Sequence, residues 1–234
     1  MSLQHISPDI SSNVTTVRNQ IAEAARACGR DPASVHLIAV SKTKPAELIR
    51  AAFAAGARDF GENYLQEALP KIQQLGDLPI VWHYIGAVQS NKTRAIAEHF
   101  HWVHTVGREK IARRLSEQCP AGRTLQVCLQ VNIDDDPAKS GVSPEDAAGL
   151  LEAARALPNL RVRGLMTILQ RGSEPRASYA RLRSLYERLA RPEPGIWDTL
   201  SMGMSGDFRE AIAAGATHVR IGTALFGARV GAAN

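Results

Sequence analysis

His36-Leu37-Ile38-Ala39-Val40-Ser41-Lys42-Thr43-Lys44-Pro45 begins as an apolar β-type run, turns polar at its carboxyl end, and gives way to Ile49, Ala52 and Phe53 at helical spacing. The same succession recurs along the chain. Further β-type runs cover Asp59 to Gly61, Trp82 to Ile85, Trp102 to Thr105, Leu125 to Asn132, Arg163 to Met166, Thr199 to Met202 and His218 to Gly222, and each is followed by a segment able to start a helix. Ile111, Leu115 and Cys119 recur at i, i+4, i+8 after the fourth run. After the fifth, Ser143-Pro144-Glu145-Asp146 predicts a helix start with Ser143 as cap, and Ala147, Leu150, Leu151 and Ala154 form its apolar stripe. Gly56 and Gly215, each in an Ala-Ala-Gly-Ala context before a strand, read as helix C-terminal glycines.

Strands alternating with helices specify a parallel sheet, either closed as a (β/α)₈ TIM barrel or open and doubly wound. The count of eight favours the barrel. The first strand is not followed by Gly-x-Gly-x-x-Gly, which removes the main argument for a dinucleotide fold. An extra N-terminal helix over Ile10 to Ala27, with Ile10, Val14, Val17, Ile21 and Ala24 on one face, is expected to cover the barrel's bottom or side, leaving a single domain over 1–234.

The composition narrows the functional classes. With 44% hydrophobic and 22% charged residues the 234-residue chain is ordinary globular material, and its longest apolar runs fall far short of the roughly 20 residues a membrane helix needs. Met1 to Ile10 lacks the apolar segment of a signal peptide, so a cytoplasmic location is expected. Cys28, Cys119 and Cys128 are odd in number and widely spaced, which suggests neither a disulfide framework nor a zinc site. The net charge of +5 comes from scattered residues without interleaved aromatics, a mild pull toward small anions rather than a nucleic-acid surface.

Active sites of TIM barrels lie at the carboxyl ends of the strands. Lys42 shares the face of Ile38 and Val40, so an inward-pointing face would project it into the barrel mouth; a partly desolvated lysine there supplies a neutral amine for imine formation with an aldehyde. The plainer alternative is a surface lysine, and Lys44 is expected to be the more solvated of the two. The last two strands lead into Leu200-Ser201-Met202-Gly203-Met204-Ser205-Gly206-Asp207 and Arg220-Ile221-Gly222-Thr223-Ala224, loops of small residues where such barrels hold phosphate, with Ser205 and Thr223 as hydroxyl donors. They could equally be tight turns with capping hydroxyls. Arg220 needs an acceptor if buried, either a cofactor ring nitrogen or an acid such as Asp59 or Glu62.

Asn63 and Asn132 are candidates for polar ligand contacts, and Met166 for packing on a ring face. In the fifth strand Gln126, Cys128, Gln130 and Asn132 share a polar face expected to point inward. His83 and His104 read as satisfied core or wall histidines, Lys139-Ser140-Gly141 as a solvated turn, Cys119 and Cys28 as structural thiols, and Cys128 as a packing residue, the one thiol to watch at the pocket. No Gly-x-Ser-x-Gly elbow or paired catalytic carboxylates favour a hydrolase, and no metal is expected.

Ala39-Val40-Ser41-Lys42-Thr43-Lys44-Pro45, Phe60-Gly61-Glu62-Asn63-Tyr64, His83-Tyr84-Ile85-Gly86 with Gln89-Ser90-Asn91-Lys92, Gly164-Leu165-Met166, Leu200 to Ser205 and Val219 to Gly227 together closely resemble the pyridoxal phosphate homeostasis protein family, in order along nearly the whole chain. That family resembles the barrel domain of bacterial alanine racemases and holds pyridoxal 5′-phosphate as a Schiff base. The resemblance implies cofactor contacts at Lys42, Asn63, Met166, Ser201, Met204, Ser205, Arg220, Gly222 and Thr223, with the imine on Lys42 and the pyridine nitrogen near Arg220. It implies a non-enzymatic, monomeric carrier that buffers the cofactor and passes it to apo-enzymes; no catalytic residues, nucleic acid or membrane are involved.

The alternative is an amino-acid racemase using the same imine. A racemase's second base comes from a β domain appended after the barrel, and this chain stops at Asn234, about twelve residues past Gly222, so that domain is expected to be missing. Of Tyr64, Tyr84, Tyr179 and Tyr186, Tyr84 is the one that could approach the site, and nothing marks it as a second base. A phosphate-sugar barrel enzyme or an RNA-associated protein ranks last, because it leaves Lys42 without a role or lacks an acid–base pair.

Overall fold

The apolar runs become eight parallel strands that close on one another in sequence order in the computed structural model, which describes residues 9–170, 172–190 and 196–227. They are β1 (His36–Val40), β2 (Asp59–Glu62), β3 (Val81–Tyr84), β4 (Trp102–Val106), β5 (Leu125–Gln130), β6 (Leu160–Met166), β7 (Thr199–Met204) and β8 (His218–Ile221). Closure is made by β1 on β8, where His36 faces His218 and Ile38 faces Arg220. The predicted (β/α)₈ TIM barrel is therefore the fold observed. Around it run α1 (Ile10–Ala27), α2 (Ala46–Ala54), α3 (Leu65–Gln74), α4 (Thr93–His99), α5 (Glu109–Gln118), α6 (Ala147–Arg155), α7 (Pro175–Leu189), α8 (Phe208–Ala213) and α9 (Thr223–Phe226).

The alternation of side chains along each strand builds two buried layers. Ala39, Phe60, Trp82, Tyr84, Val127, Leu129, Leu165 and Val219 face the helices and join them in one apolar cluster. Ile38, Cys128 and Met166 are equally buried but stand apart from that cluster, inside the barrel, beside the buried polar side chains His83, His104, Ser201 and Arg220. α1 has the predicted bounds and covers the side of the barrel, packing on α2, α8 and α9 through Ile10, Val14, Val17 and Ile21. Burying each of those aliphatic chains is worth about 1.5–3 kcal/mol relative to exposure. Asp9 caps α1 by accepting from the Ser12 N–H at 3.0 Å.

Three local expectations are corrected. β6 begins at Leu160 rather than Arg163, because its register against β5 shifts after Val127 and the alternation breaks around Arg163 and Gly164. A Cβ on Gly164 would lie 1.8 Å from the carbonyl oxygen of Thr199, so only glycine allows β7 to approach there. Ser143 does accept from the Asp146 N–H at 3.1 Å, but it closes a turn over Pro144 to Asp146, and α6 starts only at Ala147. Cys119 ends α5 as its C-cap and remains buried. Gly56 and Gly215 take φ of +99° and +100° after α2 and α8, as helix-ending glycines do.

The lower half of the barrel interior holds aromatic rings, an arrangement the sequence reading did not assign. His36 stacks on His218 with centroids 4.8 Å apart, and His83, His104 and Trp102 pack around them. Arg163 lies 4.9 Å over the Trp102 ring and donates to Gln126 Oε1 at 2.9 Å, which confirms that the polar face of β5 points inward.

Candidate functional site

The carboxyl ends of six strands deliver side chains to one cavity of about 390 Å³, a volume within the range of small-molecule sites. Val40 ends β1 and Lys42 follows it, Asn63 follows β2, Ile85 follows β3, Ile168 follows β6, Met204 ends β7 with Ser205 and Gly206 after it, and Arg220, Gly222 and Thr223 come from β8 and its loop. Seven of the nine sequence-predicted cofactor residues thus meet there: Lys42, Asn63, Met204, Ser205, Arg220, Gly222 and Thr223. Met166 and Ser201 do not line the cavity; both are fully buried below it. Val40, Ile85 and Ile168 supply its apolar wall, a role that strand parity alone could have marked for Val40, two residues before Lys42.

The two lysines of the first loop are separated by their partners. Lys44 donates to the carbonyl oxygens of Phe226 and Gly227 at 2.9 and 3.2 Å, tying down the carboxyl end of α9, rather than standing further out in solvent as predicted. Lys42 is half-buried on the cavity wall. Behind the wall the fully buried Glu62 accepts from Ser41 Oγ at 2.7 Å and from Lys71 Nζ at 2.8 Å, and Lys71 also donates to the Ser41 carbonyl oxygen at 2.9 Å. Burial pushes the Glu62 carboxyl above its usual range while Lys71 works in the opposite direction. This cluster joins the ends of β1 and β2, and so sets the spacing of the following Lys42 and Asn63.

Asn63 carries a buried side-chain oxygen, Oδ1, with no hydrogen-bond partner among the described residues. A buried acceptor left without a partner calls for an explanation. Its backbone is pressed by Gly86, where a Cβ would lie 2.0 Å from the Asn63 carbonyl oxygen.

Arg220 is only 4% exposed, and neither of the predicted acids pairs with it. Its NH1 donates to Ser201 Oγ at 2.8 Å and its NH2 to the Thr167 carbonyl oxygen at 2.8 Å, while Asp59 is taken by His83 and Glu62 by Lys71 and Ser41. Neither Asp59 nor Glu62 is thus the partner of Arg220; burial works against its charge, the nearby Tyr179 and Asp207 favour it, and the guanidinium lines the cavity wall. In the β7 loop Met204 N–H donates to Asp207 Oδ1 at 2.6 Å and Asp207 N–H to the Met204 carbonyl oxygen at 3.1 Å, folding Ser205 and Gly206 into a tight, small-residue turn beside Gly222 and Thr223.

Asn132 and Tyr84 lie away from the cavity, while Cys128 packs in the interior. Asn132 exchanges hydrogen bonds with the backbone of Asp136 at 2.9 and 3.2 Å and shapes the loop after β5 instead of meeting a ligand. Lys139-Ser140-Gly141 is a partly exposed segment, with Ser140 open to solvent, anchored by Lys139 Nζ to the Leu169 carbonyl oxygen at 2.6 Å and by Gln130 Nε2 to the Ser140 carbonyl oxygen at 2.7 Å. Tyr84 packs edge-on to Phe100 in the outer layer and donates to the Ala87 carbonyl oxygen at 3.3 Å, so it does not approach the site. Cys128 is wholly buried, with its thiol pushed far up by desolvation, and is no pocket residue. His83 and His104 are buried and hydrogen-bonded, as predicted. Among the described residues no three His, Cys, Asp or Glu converge as a metal site, and no helix is long and apolar enough to cross a membrane.

Comparison with known proteins agrees with this geometry. Residues 12–230 match the family model "Alanine racemase, N-terminal domain". The chain is 61% identical to the pyridoxal phosphate homeostasis protein of Pseudomonas aeruginosa, over 94% of this chain and 96% of that one. It is 48% identical to the protein of the same name from Escherichia coli, over 94% of this chain and 97% of its relative. Among solved structures, PipY of Synechococcus elongatus with pyridoxal phosphate bound superposes with a TM-score of 0.81 at 40% identity, covering 93% of this chain and all of that one. The alanine racemase of Corynebacterium glutamicum, at 20% identity and a TM-score of 0.66, shares the fold over 94% of this chain and 63% of its own.

Proposed function

The chain belongs to the pyridoxal phosphate homeostasis protein family, and from that membership we propose that it binds pyridoxal 5′-phosphate in the cavity at the barrel mouth and carries it without turnover. The observation that carries this reading is the convergence on one cavity of a primary amine, Lys42, an orphaned acceptor, Asn63, a buried cation, Arg220, and two small-residue loops with hydroxyls, Ser205 and Thr223. These groups fit the ligand feature by feature. When bound, the cofactor supplies an aldehyde that condenses with a primary amine. Lys42 provides that amine, Arg220 donates toward the ring nitrogen, and the Ser205 to Gly206 and Gly222 to Thr223 turns hold the phosphate. Arg220 is always protonated, so it leaves the ring nitrogen unprotonated and the ring a weak electron sink.

A carrier role fits the same wall. Among the described residues the ionisable members of that wall are Lys42 and Arg220, and Arg220 keeps its proton, whereas two-base chemistry requires a second proton-transfer group. Among the described residues the exposed large apolar side chains are Tyr64 and Met204, next to and on the cavity wall. That open apolar mouth suits release to apo-enzymes. We further propose that the chain acts as one cofactor-binding unit, monomeric and cytoplasmic.

The test is borohydride reduction of the cofactor-loaded protein followed by peptide mass mapping. The adduct is expected on Lys42 and is lost in Lys42→Ala with the fold retained; an adduct on Lys44 would reassign the site. Added L-alanine is expected to keep its optical rotation, and catalytic loss of rotation would replace the carrier by a racemase.

A further inference from the structure

The guanidinium of Arg220 is one end of a hydrogen-bonded chain that runs down through the barrel interior. Arg220 NH1 lies 2.8 Å from Ser201 Oγ, Ser201 Oγ 2.8 Å from His104 Nδ1, His104 Nε2 2.9 Å from His83 Nδ1, and His83 Nε2 2.9 Å from Asp59 Oδ1. His83, His104 and Ser201 are completely buried, and the Asp59 side chain is 28% exposed. Asp59 opens onto a separate cavity of about 390 Å³ at the amino-terminal end of the barrel, which it shares with Arg18, His36 and Arg58. Five residues from β2, β3, β4, β7 and β8 thus join the two ends of the molecule.

The chemistry of the end groups gives the chain one direction. An arginine can only donate and a carboxylate can only accept. Asp59 therefore takes the Nε2–H of His83, whose Nδ1 must then accept the Nε2–H of His104. His104 Nδ1 in turn accepts the hydroxyl proton of Ser201, and Ser201 Oγ accepts from Arg220. Every donor meets an acceptor with both rings neutral. Reversing any internal link would leave Asp59 unpaired or place a second proton on a fully buried ring, both costly.

We propose that Asp59, His83, His104 and Ser201 are positioning residues that hold Arg220 from a carboxylate at the far end of the barrel. Two donors of the guanidinium are committed, to Ser201 and Thr167, and the rest of the group is fixed in one orientation at the cavity wall. Since Arg220 keeps its proton, the chain orients and does not relay protons. The proposal rests on the cofactor reading only for what Arg220 faces; the chain itself exists without any ligand.

Two measurements separate these parts. In the ligand-free protein, ¹⁵N-edited NMR of the imidazoles is expected to show His83 and His104 neutral with the proton on Nε2; a charged ring or an Nδ1–H tautomer on either overturns the chain. In the loaded protein, Asp59→Ala and Ser201→Ala are expected to retain the Lys42 adduct, shift its absorption band, and weaken cofactor binding roughly tenfold, with Asp59→Glu restoring both. The Ser201 variant breaks the chain beside Arg220 should the Asp59 variant fold poorly. Unchanged band and affinity in the folded variants overturn the positioning role, whereas a wild-type chain without a Lys42 adduct overturns the cofactor reading and leaves the ring signals to decide the chain.

Discussion

Glu62 is fully buried, yet its Oε2 has no partner among the described residues, so its stability depends on Oε1 and the two donors that reach it. Removing the cation is therefore more damaging than removing the pair. Lys71→Met is expected to destabilise the protein by about 3–5 kcal/mol, because it strands a buried carboxyl, and Glu62→Gln combined with Lys71→Met is expected to recover much of that loss. Urea unfolding of the two variants checks this, and a single variant as stable as the wild type would show that the cluster does not hold the β1 and β2 ends. Because the same cluster spaces Lys42 from Asn63, the Lys71 variant should also bind pyridoxal phosphate more weakly. None of this was visible as a motif. Ser41, Glu62 and Lys71 read individually as a loop serine, a strand-end acid and a helix lysine, and only the tertiary fold brings them within hydrogen-bond range.

At the scale of elements, Gly86 follows β3 and lies against the backbone that presents Asn63. In Gly86→Ala the new Cβ would overlap the Asn63 carbonyl oxygen, so the loop after β2 must move and carry the orphaned amide with it. The expected result is a cost of about 1–3 kcal/mol in stability together with weaker cofactor binding, read by thermal unfolding and by absorption titration. Retained affinity with lowered stability would mean that Asn63 is not a contact. Here the legibility of the chain divides cleanly. All eight strands and α1 could be read, because apolar runs and a 3.6-residue stripe are local signals. β6 lost its first residues to the break around Arg163 and Gly164, which interrupts the period-2 pattern. The anchors of the partly exposed loop after β5, Lys139 to Leu169 and Gln130 to Ser140, were not legible because they span 30 and 10 residues. Six of the seven cavity residues could be read from strand ends that barrel geometry names in advance, Met204 came from the family resemblance, and Met166 and Ser201 lie at a depth that a strand-end reading does not report.

The whole molecule encloses several imidazoles, and this makes its stability a function of pH. Desolvation by burial lowers the pKa of His83, against the opposing pull of Asp59, and lowers those of His104 and His218 well below the ordinary histidine value, with neighbouring imidazoles adding to the effect for all three. Each therefore folds as the neutral ring, while in the unfolded chain it takes up a proton near pH 6.5. Below that value the unfolded state binds more protons than the native state, so stability falls as pH falls; above about pH 7.5 both states are neutral and the contribution is constant. Each ring adds a slope of up to roughly 1.4 kcal/mol per pH unit, which for three rings is about 4 kcal/mol per unit at most. Glu62 runs the other way, since a carboxyl held above its usual range loses native stability as pH rises, but it is one group against three. Urea midpoints measured from pH 8 to pH 5 are expected to stay level down to about pH 7 and then drop steeply. His218→Gln, which removes one ring of the stack without touching the Asp59 to Arg220 chain, is expected to lessen the slope by about a third. A midpoint independent of pH over this range would mean that the native barrel takes up protons at the same pH as the unfolded chain, so that burial does not hold the rings of the Arg220 to Asp59 chain neutral.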